Sequence, residues 1–137
     1  MSNFYLGDLT QRIMDEYFAA FYKLDGRAGL SESELTTAMA IALKQRGLQV
    51  QEQVYVQHTY LGRKIGNGFI DLLVNGSVVL ELKNLVHLRR VNIGQLRGYY
   101  LQAGNFPVGM LLNFGGHKPE LKRLENRNAF PPDWRGE

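Results

Sequence analysis

The sequence predicts an α/β (α+β) fold, one sheet flanked by helices in the order α-α-β-β-β-α-β. Three observations predict it. Two segments before residue 48 repeat apolar residues at helical spacing, and the period then shortens to two across residues 54–83. A further helical pattern separates the third strand from a fourth that is almost wholly apolar.

Taken in order, residues 8–24 place Leu9, Ile13, Tyr17, Ala20, Phe21 and Leu24 on one helical face, with Asp8 as the expected N-cap. The stretch D-G-R-A-G breaks that helix. Residues 31–47 form the second, opened by a Ser31/Glu34 capping box and closed by Gly47. Its apolar stripe is Leu35, Ala38, Met39, Ala42 and Leu43. In V-Y-V-Q-H-T-Y-L, Val54, Val56, His58 and Tyr60 share one face of a strand. G-R-K-I-G-N-G reads as a flexible, partly basic loop. F-I-D-L-L-V and V-V-L-E-L-K are the second and third strands, joined by a type I′ turn at Asn75–Gly76. That turn sets Asp71 opposite residue 80. The helix over residues 91–104 carries Ile93, Leu96 and Tyr100 on one face and Gln95 and Tyr99 on another. Pro107 opens the fourth strand, V-G-M-L-L-N-F, which completes a four-stranded mixed sheet. The tail, with Pro119, Pro131 and Pro132, reads as a short helix or coil.

The chain has 137 residues, which suits a single domain over residues 1–137. It has no cysteine, which excludes disulfides, zinc-thiolate sites and iron–sulfur clusters. Its first residues carry no signal-peptide pattern, and no apolar run approaches the roughly 20 residues of a membrane span. A cytoplasmic protein without a membrane partner is the expectation. Net charge is +3 and the pI about 9.3, compatible with a nucleic-acid partner. Arg89 and Arg90 follow the third strand, and Lys118, Lys122, Arg123 and Arg127 gather near the C-terminus.

The third strand raises the chemical question, because Glu81 and Lys83 interrupt an apolar run. Side chains alternate across a strand, so both point with Val79, while Leu80 and Leu82 point into the core. In the second strand Asp71 shares a face with Phe69 and Leu73, opposite Ile70, Leu72 and Val74. An E-x-K pair alone is most often an exposed or salt-bridged face. With Asp71 one strand away, two carboxylates and an ammonium converge if the hairpin splays. Hard divalent cations such as Mg²⁺ take carboxylate oxygens, water and substrate phosphate. A nearby lysine stabilises developing negative charge. Such a set suits phosphodiester hydrolysis.

Asp71, Glu81 and Lys83, so spaced, resemble the signature of the PD-(D/E)xK nuclease superfamily, with Ile70 where the proline would stand. Q-L-R-G-Y, from Gln95 to Tyr99, resembles the Q-x-x-x-Y element of RecB-like members. Residues 8–116 also resemble the small bacterial GxxExxY proteins. Gly29 and Glu32 match that motif, Leu35 replaces its tyrosine, and Asn84 replaces the usual alanine after the lysine. The resemblance implies a restriction-endonuclease-like core and Mg²⁺- (or Mn²⁺-) dependent cleavage of nucleic acid, DNA foremost. It implies Asp71, Glu81, Glu32 and the Leu82 backbone carbonyl as metal ligands, Lys83 as the group that activates water, and Gln95 as its orienting partner. Tyr99, Arg63, Lys64, Arg89, Arg90 and Arg97 are the candidate nucleic-acid contacts, with His58 and His87 as lesser candidates. The rival readings are a nucleic-acid-binding module without turnover and an adaptor, acting as a homodimer or through a partner protein.

Overall fold

In a computed structural model that describes residues 4–134, the apolar stripes of the first two helices pack on one face of the sheet. Helix α1 (Gly7–Lys23) buries Ile13, Tyr17 and Phe21, and α2 (Glu32–Gln45) buries Leu35, Met39 and Leu43. The capping box forms: Glu34 N–H donates to Ser31 Oγ at 3.0 Å, and Ser31 N–H to Glu34 Oε1 at 2.9 Å. At α1 the expected cap does not form. The helix starts at Gly7, with Leu6 at the N-cap position, and Asp8 lies in the first turn, where its charge complements the helix dipole.

Five strands rather than four form the sheet, in the spatial order β1-β2-β3-β4-β5. They are β1 (Val50–Tyr60), β2 (Arg63–Val74), β3 (Val78–Lys83), β4 (Val108–Asn113) and β5 (Glu120–Glu125). The β3–β4 pair is parallel and the others antiparallel, so the sheet is mixed. The parallel pair is the one joined through a helix, since parallel neighbours need a crossover. The added strand β5 lies where the sequence suggested a helix or coil. Its alternating charges suit a sheet edge, while Leu121 and Leu124 reach the two cores.

All but the first residue of the expected loop G-R-K-I-G-N-G belongs to β2. Gly66 pairs with His58 and Gly68 with Val56, so ladder bonds override the turn-like composition. The strand faces also differ in one place. Leu72 and Val74 join the α1–α2 core as expected, but Ile70 packs on the other side with Val56, Val79 and Leu96. The strand therefore turns over at Asp71. Gln53, between the partners of Leu72 and Ile70 on β1, has φ +54, so the irregularity spans both strands at that rung.

Helix α3 (Arg90–Gly94) runs directly into a π-helical segment, Gln95–Gln102, which covers the second face of the sheet. A Cβ at Gly109 would lie 2.8 Å from Leu96 and 2.9 Å from Leu101, so only glycine on β4 lets the helix sit this close. Among the described residues no helix is long and apolar enough to cross a membrane.

Candidate active site

The site forms where β2 and β3 part. Their ladder runs through Val74↔Val78, Leu73↔Val79 and Leu72↔Leu80 and then ends. Asn75 and Gly76 both have positive φ, as a type I′ turn requires, but Ser77 adds one residue to the connection. The register therefore slips by one, and Asp71 meets Glu81 rather than Leu80. Side-chain oxygens take over from the ladder at this rung. Leu82 N–H donates to Asp71 Oδ2 at 2.9 Å, and Asp71 N–H donates to Glu81 Oε1 at 3.3 Å. The separating strands would otherwise leave those backbone donors unpaired.

This geometry crowds two acids. Glu81 is 5 % exposed, and its carboxyl pKa is pushed up to about 9. Burial is the main cause, the neighbouring Asp71 carboxylate the next, and Lys83 pulls the other way. Without a cation the pair holds a proton near neutral pH. Lys83 is half-buried and, among the described residues, forms no ion pair. Val79 packs on the face covered by the π segment while Leu80 and Leu82 join the α1–α2 core, so these three alternate as predicted.

Two backbone-binding asparagines brace the strand ends: Asn84, visible in the sequence only as a departure from the family pattern, and Asn113, which did not stand out there. Asn84 Nδ2 donates to the carbonyls of Ala28 (3.0 Å) and Leu30 (2.7 Å), strapping the end of β3 to the turn that leads into α2. Asn113, fully buried, accepts from Leu85 N–H at 2.9 Å and donates to Leu85 O at 2.8 Å, which fixes the loop after β3. A polar residue ending an apolar strand was the available signal for Asn113.

The aromatic neighbour of the acids is Tyr100. Its phenol is pushed up to about 12 by burial and then by the charges of Glu81 and Asp71. A Cβ at Gly68 would lie 3.5 Å from its ring. The wider π turn is what a simple helical wheel misses, although Tyr100 was visible as part of the apolar face with Ile93 and Leu96. Tyr99 instead lies half-exposed and stacks on His58, ring centroids 4.7 Å apart and planes 26° apart.

The remaining candidates spread outward. Gln95 is half-buried at the start of the π segment. Glu32 stands exposed in the first turn of α2, and among the described residues no three acidic or histidine side chains gather as a metal cluster. Arg63 and Lys64 are exposed at the tip of the β1–β2 hairpin. Arg89, Arg90 and His87 are exposed where the chain enters α3, and Arg97 is exposed on the π segment. The donors that do converge are carboxylate oxygens. The Leu82 carbonyl shares their strand edge, because N–H and C=O of one strand residue point the same way. A buried acid beside a half-buried one, with an oxygen-only donor set, fits a hard divalent cation.

A model of the PD-(D/E)XK nuclease superfamily matches residues 7–124. Among solved structures the chain is similar to one described as the crystal structure of SSO0001, with a TM-score of 0.54 and 18 % identity. The alignment covers 66 % of this chain and 48 % of that one, so this chain spans about half the length of that structure. At this identity the likeness concerns the fold alone. No curated protein matches the sequence.

Proposed function

Because the chain belongs to the PD-(D/E)XK nuclease superfamily, we propose that it is a Mg²⁺- or Mn²⁺-dependent nuclease that hydrolyses phosphodiester bonds, with DNA as the foremost substrate. One observation carries this reading: Asp71 and Glu81 meet at the splayed end of a hairpin, with Lys83 on the same strand two residues on. Asp71, Glu81 and the Leu82 carbonyl would hold the cation, and Glu32 would approach from α2, whose N-terminus Asn84 draws beside β3. When bound, the cation polarises a phosphoryl oxygen and lowers the pKa of water.

The chain's own groups have defined tasks. Asp71 and Glu81 must be ionised to bind, so the proton that Glu81 retains in the metal-free protein is lost on loading. Lys83, free of a carboxylate partner among the described residues, orients the attacking water and stabilises negative charge on the phosphoryl group. Gln95 orients the lysine or a phosphate. Arg63, Lys64, Arg89, Arg90 and Arg97 neutralise backbone phosphates, which makes binding salt-sensitive and largely blind to sequence.

A second reading, a binding module without turnover, draws support from Glu32 standing outside the acid pair. One assay separates the two. Single-stranded DNA, duplex DNA and RNA are incubated with Mg²⁺ or Mn²⁺ and wild type, Asp71→Asn or Lys83→Ala. Cleavage reduced by about 10²-fold or more in both variants is the expected result. Salt-dependent binding by a wild type that does not cut would replace the enzyme with the module.

A further inference from the structure

Beyond the acid pair, the region between the β1–β2 hairpin and the π segment has three unusual features. It is a cleft of about 330 Å³ lined by His58, Thr59, Ile65, Gly98, Tyr99 and Gln102. Its aromatic wall is fixed: Tyr99 is 50 % exposed, yet the His58 ring stacks against it at 4.7 Å. His58 Nε2 is buried without a hydrogen-bond partner among the described residues, and the imidazole meets Tyr99 with its face. An exposed tyrosine ordinarily loses rotamer freedom when a ligand stacks on it, and His58 has already removed part of that freedom.

Gly98 supplies the third feature. A glycine inside a helix costs roughly 0.5–1 kcal/mol relative to alanine. Tight packing explains Gly109, but a Cβ at Gly98 would meet nothing within 4 Å. The missing side chain therefore opens space on the cleft side of the helix and relieves no contact within the chain. Tyr100, the next residue after Tyr99, feels the charges of Glu81 and Asp71 and is not part of the cleft lining. Exposed cations, Arg97 on the helix and Arg63 and Lys64 at the hairpin tip, flank the cleft.

We propose that this cleft is a stacking slot for one unpaired nucleobase, with Tyr99 as the platform, His58 as its backing and Gly98 as the opening. The proposal rests on nucleic acid being the substrate class and adds that the chain engages a base by its face. In a duplex that face is covered by the neighbouring pairs, so the slot takes a single strand, an end or an extruded base. Stacking reads no edge pattern, so it selects unpaired bases without selecting a sequence. DNA and RNA offer the same aromatic face, and the sugar alone separates them.

Binding is measured by fluorescence anisotropy in EDTA, where cleavage is off. The probes are a short thymidine strand, its uridine counterpart in RNA, the matched duplexes, and an abasic strand of the same length and charge. Wild type should bind the intact strand roughly 5- to 150-fold more tightly than the abasic one. Tyr99→Ala should bind both strands at the abasic level, and Gly98→Leu, which fills the opening, should do the same. Tyr99→Phe should keep the preference, and melting curves verify that each variant is folded. A preference shared by DNA and RNA strands, or held by one of them, equally supports the slot and identifies its source. Equal wild-type affinity for intact and abasic strands overturns the proposal. So does a Tyr99→Ala variant that keeps the preference, or no binding of any strand. Cleavage with Mg²⁺ is scored separately. Cutting without base-dependent binding refutes the slot and leaves the nuclease reading intact, whereas base-dependent binding without cutting does the reverse.

Discussion

Replacing Glu81 with glutamine keeps the shape of the side chain and removes its titration. In the folded protein the Glu81 carboxyl holds its proton up to about pH 9, against an ordinary value of 4.5. Between those values the folded chain carries a proton that the unfolded chain has released. Stability must then fall as pH rises through that window. One proton sets the limit at about 1.4 kcal/mol per pH unit. From pH 5.5 to 8.5 the ceiling is therefore about 4 kcal/mol, a large share of the roughly 5–15 kcal/mol that holds a domain together. Urea unfolding in EDTA across that range should show wild type losing stability relative to Glu81→Gln, with the gap widening at each step. Asp71→Asn should flatten the wild-type decline, because it removes the second cause of the raised pKa. Saturating Mg²⁺ should suppress it as well, since a bound cation stabilises the ionised pair, and apparent metal affinity should rise with pH by up to about tenfold per unit. Parallel pH profiles for wild type and Glu81→Gln would refute the reasoning, because they would mean that Glu81 is not a buried acid held beside another.

Other consequences concern the frame that holds the site. Tyr17→Phe removes a hydroxyl that accepts from Glu120 N–H at 2.9 Å and donates to the Asn113 carbonyl. The loss should be about 1–3 kcal/mol in urea unfolding, because buried partners are left unpaired. Gly109→Val forces a side chain into Leu96 and Leu101 and should cost about 1–3 kcal/mol or displace the π segment, visible as a lowered melting temperature. Asn84→Ala frees the end of β3 from the Ala28–Leu30 turn. Hydrogen exchange should then accelerate across residues 28–32, with the α1–α2 core unchanged.

Much of this was legible in the sequence because covalent geometry dictates it. Alternation along β3 separates Val79 from Leu80 and Leu82, and the packing of those three agrees. The Ser31/Glu34 cap and the stripe from Leu35 to Leu43 were likewise local properties. What escaped depends on partners distant in sequence. β5 reads as a charged tail until β4 offers it an edge. The glycines at 66 and 68 read as a loop until β1 pairs with them. A two-residue turn would set Asp71 opposite Leu80, and Ser77 shifts the register by one. The π segment, which brings Tyr100 beside the acids, has no signature in residue type. For the site, the acid–acid–lysine set could be named from spacing and resemblance, but not the splayed rung that lets the two carboxylates meet.

The most direct test of the account is a crystal of the protein soaked with Mn²⁺ and measured for anomalous scattering. A single strong peak is expected between the Asp71 and Glu81 carboxylates, within reach of the Leu82 carbonyl, and its loss in Asp71→Asn. A peak elsewhere, or none at that rung while the carboxylates stay in place, would contradict it.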